Sequence, residues 1–115
     1  MKIIRTAPYI KALKKIGISA DTEQKLLNEL ANNPEKGDLI IGSGGARKIR
    51  LALGNRGKSA GARVVYAFFK LHDKIFLIYA YKKATQENLT QTQINNLKIA
   101  IKTLEETLNN GQGNI

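Results

Sequence analysis

The apolar positions along this chain change period from segment to segment, and the changes divide it into helices and strands. Ile10, Leu13 and Ile16 recur at helical spacing and predict a short helix with one buried stripe. Thr6 is placed to cap it, because its hydroxyl can accept from an orphan backbone N–H, and Pro8 is tolerated in a first turn. Gly17 ends it. Ser19 or Asp21 starts a second helix that buries Leu26, Leu27 and Leu30. Asn33-Pro34 closes that helix, since the residue before a proline resists the helical region. Ile3 and Ile4, ahead of both, read as a short edge strand. Residues 35–45 read as a connecting loop with a glycine cluster.

The period then drops to that of strands. A first central strand is expected over Ala46–Leu53, with Ile49, Leu51 and Leu53 on one side and Lys48, Arg50 and Ala52 on the other. Further strands are expected over Ala62–Phe69 and Ile75–Tyr81, joined by a three-residue turn at Leu71-His72-Asp73. Pairing Lys70 with Lys74 sets Phe68 opposite Phe76, Tyr66 opposite Ile78 and Val64 opposite Ala80, which makes one apolar face. The other face then pairs Arg63 with Tyr81, Val65 with Tyr79 and Ala67 with Leu77. A slip of one residue would turn every side chain over, so the register is a definite expectation. The last segment returns to helical period: Ile94, Leu97, Ile101, Leu104 and Leu108 form one stripe. Thr90 with Gln93 forms a capping box, Leu89 with Ile94 a hydrophobic staple, and Asn109-Asn110-Gly111 a stop.

Length and composition narrow the class. The chain has 115 residues and no cysteine. It is the size of one domain, expected over residues 1–115 with 109–115 as a flexible tail, and it can bury roughly two-thirds of its unfolded surface. Disulfides and thiolate metal sites are excluded. No apolar run approaches a membrane span, and Met1-Lys2-Ile3-Ile4-Arg5 does not resemble a signal peptide. A soluble, cytoplasmic protein is expected.

Charge changes the picture more. The net charge is +10, and residues 44–83 carry ten of the Lys/Arg against one acid, Asp73. Charge concentrated this way works against folding by self-repulsion, and points to a polyanionic partner. With the strand faces put together, Lys48 and Arg50 from one strand, Arg63 from its neighbour and Tyr79 or Tyr81 from the third can share one sheet face. Lys82 and Lys83 lie at its edge, and Arg56 and Lys58 arch over in a loop. Arginine grips phosphate in a planar fork, and tyrosine rings can stack a splayed base, so the face suits single-stranded RNA. Arg47, Arg56, Lys58, Tyr79, Tyr81, Lys82 and Lys83 are the candidate RNA-binding residues. RNA carries its own nucleophile, so a nuclease need only align the 2′-oxygen, stabilise charge and move protons. His72 sits in a turn beyond the ladder and reads as a bystander. Asp73, at the same turn, leaves no carboxylate for a metal, so no metal or cofactor is expected. A lysine among several cations has its ammonium form disfavoured, which makes Lys48, beside Arg50 and Arg63, a candidate general base. Binding without catalysis remains open on the residues alone. Lys11, Lys14 and Lys15 read as a solvated helix face.

Gly44-Gly45-Ala46-Arg47-Lys48-Ile49-Arg50, Gly57-Lys58-Ser59-Ala60-Gly61-Ala62-Arg63-Val64-Val65-Tyr66, Tyr79-Ala80-Tyr81-Lys82-Lys83 and Leu89-Thr90 follow one another in an order and spacing that resembles the RelE/HigB family of toxins from bacterial type II toxin–antitoxin systems. With Asn33-Pro34 and Gly37-Asp38 upstream, the likeness is greatest to the HigB branch. The resemblance implies an α+β fold, with two N-terminal helices and a C-terminal helix packed on one face of a small, mostly antiparallel sheet. It implies a metal-independent endoribonuclease that cleaves messenger RNA in the ribosomal A site, close to ribosomal RNA. It also implies neutralisation by a cognate antitoxin with a helix-turn-helix domain. The family's catalytic positions fall on Lys48, Arg50 and Arg63, and its basic site on Lys82 and Lys83. Some members stack the target base on a C-terminal tyrosine; this chain has no aromatic residue after Leu89. Arg50 stands where some relatives have lysine, and arginine does not deprotonate. A ParE-like gyrase-inhibiting toxin and a non-catalytic RNA-binding module are the competing readings.

Overall fold

The computed structural model describes residues 1–53 and 61–111. In chain order the elements are β1 (Lys2–Arg5), α1 (Ala7–Ile16), α2 (Ala20–Asn32), β2 (Asp38–Leu39), β3 (Ala46–Leu51), β4 (Ala62–Phe69), a 3₁₀ turn (Lys70–His72), β5 (Lys74–Lys82) and α3 (Gln91–Asn109). The five strands form one sheet in the order β1-β5-β4-β3-β2. Every neighbouring pair is antiparallel except β1, which runs parallel to β5.

Helix ends follow from local chemistry. The Thr6 hydroxyl accepts from the Tyr9 amide and donates to the Leu77 carbonyl at 2.7 Å, so the cap of α1 is also its tie to β5. Gly17 ends α1 at φ 85, a left-handed conformation that costs glycine little. Ser19 caps α2, and Asp21 and Glu23 in its first turn suit the positive end of the helix dipole. Thr90 and Gln93 complete the capping box of α3 in both directions. Tyr9 donates to Glu23 at 2.8 Å, and Arg5 forks onto the same carboxylate, which joins β1, α1 and α2.

Helices cover both faces of the sheet, not the single face implied by the family resemblance. Tyr9, Leu13, Leu26 and Leu30 pack with Ile49, Val64, Tyr66 and Leu77. On the opposite face Leu97, Ile101 and Leu108 of α3 pack with Ala46, Val65, Ala67, Phe69 and Phe76. The cause lies in β4, whose side chains are apolar on both sides from Val64 to Phe69, so each side needs its own cover.

The β4–β5 register also differs from expectation over half its length. Arg63↔Tyr81, Val64↔Ala80 and Val65↔Tyr79 pair as the alternation predicts. Beyond an irregularity at Val65/Tyr66 the partners become Tyr66↔Leu77, Ala67↔Phe76, Phe68↔Ile75 and Phe69↔Lys74. The 3₁₀ turn, with Asp73 left-handed at φ 52, starts the ladder at Phe69 rather than Lys70. Ile78 is the extra residue that absorbs the mismatch, as in a β-bulge. Phe76 therefore faces α3, where it meets Phe69 edge to face at 5.6 Å.

Within residues 35–45, expected to be loop throughout, Asp38–Leu39 adds a short edge to β3. Tyr66 holds the approach to it: its hydroxyl donates to the Pro34 carbonyl and accepts from the Gly37 amide, both at 2.8 Å. Gly37 has no room for a side chain, because a Cβ there would lie 2.7 Å from Tyr66 Cε1 and 2.9 Å from the Lys48 carbonyl.

Candidate nucleic-acid interface

Strand alternation and α3 together delimit this site. Ala46, Lys48 and Arg50 project from one side of β3, and Arg63 and Val65 from the same side of β4. The stripe of α3 seals the end of this face that carries Ala46, Ala67 and Phe69. At the other end Arg50, Arg63 and Tyr81 stand in one row across three strands, with Lys48, Val65 and Tyr79 in the next. Two arginines directly opposite one another repel, so the row is a cost to the sheet. No ion pair among the described residues relieves it. The four that occur join the N-terminus to Asp73, Arg5 to Glu23, Lys36 to Glu29 and Arg47 to Glu35.

The Arg63 guanidinium is half-buried and donates to the Ala62 carbonyl at 3.2 Å, leaving further N–H groups to offer. It lies near the Tyr81 hydroxyl. Burial pushes that phenol above its ordinary range, and the Arg63 charge partly opposes the shift. The Tyr79 and Tyr81 rings stack, with centroids 6.4 Å apart. Tyr81 retains 4% of its surface, so its ring supports Tyr79 rather than offering a free platform, and half-buried Tyr79 presents the accessible ring. Lys82 is exposed at the end of β5, and the Lys83 amide bonds the Gly61 carbonyl.

Arg47, expected to contact RNA, belongs to the other side of β3. It donates to the carbonyls of Glu35 (2.9 Å) and Gly37 (2.7 Å), pinning the approach to β2, so its charge serves the fold. One residue of offset along a strand reverses the face, which is why neighbours Arg47 and Lys48 project to opposite sides of the sheet. Arg56 and Lys58 lie outside the described residues. His72 bonds Asn109 at 2.9 Å at the hairpin end, about 20 Å along β4 from Arg63. One residue escaped the sequence reading. Asp38 pairs with Lys48 across β2–β3 and puts a carboxylate beside the basic row, though the two form no ion pair. Two residues of strand leave no periodic signal.

Among the described residues no helix is long and apolar enough to cross a membrane, and no group of three His, Cys, Asp or Glu could hold a metal.

Comparison with known proteins bears on this arrangement. An E. coli RelE toxin mutant in the free state superposes with a TM-score of 0.54 at 19% identity, covering 87% of this chain and 95% of that one. A chain of the intact E. coli RelBE toxin–antitoxin complex gives 0.54 at 21% identity, covering 70% of this chain and 94% of that one. At such identities the likeness speaks for the fold alone. The family model described as the RelE toxin of the RelE/RelB toxin–antitoxin system matches residues 1–112, nearly the whole sequence. On that match, the chain belongs to the RelE family of toxins from toxin–antitoxin systems.

Proposed function

We propose that the protein is a ribosome-dependent endoribonuclease that cleaves messenger RNA without a metal, and that the face bearing Lys48, Arg50 and Arg63 does the cutting. The observation that carries this is the Arg50–Arg63–Tyr81 row with Lys48 beside it, a set of cations free of ion pairs among the described residues. A gyrase-binding toxin has no need of it. Arg50 and Arg63 fork onto the scissile phosphate and balance the charge that grows on its oxygens. Lys48 is the group that takes the proton of the 2′-OH. The 2′-oxygen bonds to phosphorus, the bond to the 5′-oxygen breaks, and that oxygen leaves with a proton drawn from solvent water. The products are a 2′,3′-cyclic phosphate and a 5′-hydroxyl end. The exposed part of Tyr79 stacks a neighbouring base. Work on messenger RNA in the A site places the protein in the cytoplasm, against ribosomal RNA. The family membership and the E. coli complex support a cognate antitoxin; in this reading it carries a helix-turn-helix domain and covers this face or bars access to the ribosome.

Arg63→Ala tests the reading. Its loss should lower cleavage of ribosome-bound messenger at least a hundredfold, on the order of one transition-state donor, with the melting midpoint little changed. Wild-type cleavage should leave 2′,3′-cyclic phosphate and 5′-hydroxyl ends, whereas attack by a metal-activated water leaves 5′-phosphate and 3′-hydroxyl ends. An Arg63→Ala protein that cuts within a few-fold of wild type, or wild-type products with 5′-phosphate ends, would end the proposal.

A further inference from the structure

Two clefts flank the basic face, and they differ in charge. The first, about 560 Å³, adjoins Lys48 and Arg50 at the β2–β3 edge and is also lined by Asp38 and by Glu29, which is paired with Lys36. The second, about 590 Å³, lies at the opposite edge and contains no carboxylate. It arises from the way the chain leaves the sheet. β1 pairs with β5 only as far as Leu77, and Thr6 then turns the chain into α1. From Ile78 to Lys82, α1 rather than a strand borders β5. The cleft between them is walled by Lys11 and Lys15 on one side and by Tyr79, Tyr81 and Lys82 on the other.

We infer that this cleft carries the backbone of the substrate RNA beyond the scissile phosphate, with Lys11, Lys15 and Lys82 contacting its phosphates. The inference rests on the nuclease reading for what the strand is, and on charge and continuity for its path. Tyr79 and Tyr81 belong to both the cleft and the basic face, so a strand lying across Lys48 and Arg63 enters the cleft without a break. The other exit leads past Asp38 and the Lys36–Glu29 ion pair, so a phosphate there meets less net positive charge. Lys11 and Lys15 are exposed and one helical turn apart, about 6 Å along the axis. Like charges at that spacing weaken a helix, and α1 contains no acid to offset them. Lys15, in the last turn, complements the helix dipole; Lys11 lies too early in the helix for that. A bound phosphate accounts for both.

The test compares Lys11→Ala/Lys15→Ala with Lys70→Ala/Lys102→Ala, which removes the same charge at the hairpin turn and on α3. The probe is a fluorescein-labelled 2′-O-methyl uridine oligonucleotide of twelve residues, which binds but has no free 2′-OH to react. The first variant should lose about tenfold in affinity, and the slope of log affinity against log salt should shrink by about 1.4, as for two lost single-strand phosphate contacts. The second should stay within about twofold of wild type. In ribosome-programmed cleavage the first variant should raise KM and leave kcat unchanged, and Lys11→Arg/Lys15→Arg should restore it. Equal affinities for the two double variants would overturn the inference and leave the nuclease reading intact. A loss seen only on ribosomes, with oligonucleotide affinity unchanged, would also overturn it, since the lysines would then face ribosomal RNA. A wild type that shows the expected binding pattern yet cuts nothing would support the cleft and end the nuclease reading.

Discussion

Tyr66→Phe isolates the hydroxyl that joins β4 to the segment leading into β2. The ring is fully buried, and phenylalanine keeps its packing. The oxygen that disappears donates to the Pro34 carbonyl and accepts from the Gly37 amide. Gly37 is buried, so its N–H is stranded, at a cost of about 1–3 kcal/mol. Pro34 is half-buried, so its carbonyl regains water in part and adds less. Together the loss is about 2–4 kcal/mol. At ~4 °C per kcal/mol for a chain of this size, the melting midpoint should fall by about 8–16 °C. Circular-dichroism melts of the purified proteins measure it, and amide exchange should quicken at residues 35–39. A shift below about 3 °C would refute the reasoning, because the carbonyl contacts of Arg47 would then suffice to hold the segment.

Other outcomes follow from the same geometry. Gly37→Ala forces a methyl against Tyr66 and the Lys48 carbonyl, so it should cost about 1–3 kcal/mol in a denaturant titration and also lower cleavage, because the backbone that must yield is that of Lys48. His72→Ala should leave cleavage within a few-fold of wild type; a large loss would bring the hairpin end into the chemistry. Burial raises the hydroxyls of Tyr9, Tyr66 and Tyr81, for Tyr9 with help from Glu23. Above about pH 10 the unfolded chain releases these protons while the folded chain keeps them, so stability should fall with rising pH by about 1.4 kcal/mol per unit for each tyrosine. Tyr9→Phe should flatten that decline in alkaline urea titrations, and an unchanged slope would count against its raised hydroxyl.

The elements that the sequence made legible are those settled within a few residues. Thr6, Ser19 and Thr90 cap their helices through hydroxyls that reach amides three residues on, and Gly17 ends α1 by a conformation open to glycine. The bounds of β4 and the placing of Lys48 and Arg50 on one side of β3 follow from a period of two that needs no partner to be read, while the β3–β4 register brings Arg63 to that side. Contacts between distant segments decided the rest. The turn after Phe69 took a 3₁₀ form, and the bulge at Ile78 moved Phe76 to the α3 side, an outcome of packing on both faces at once. Arg47 became a brace because a loop ten residues upstream offers it carbonyls, and Asp38 came beside Lys48 through a strand too short to show a period. The cleft beside α1 exists because β1 stops pairing at Leu77 and a helix borders β5 from there on. Local propensity is written residue by residue, whereas the partner across a strand or beneath a helix is chosen by the whole core closing together.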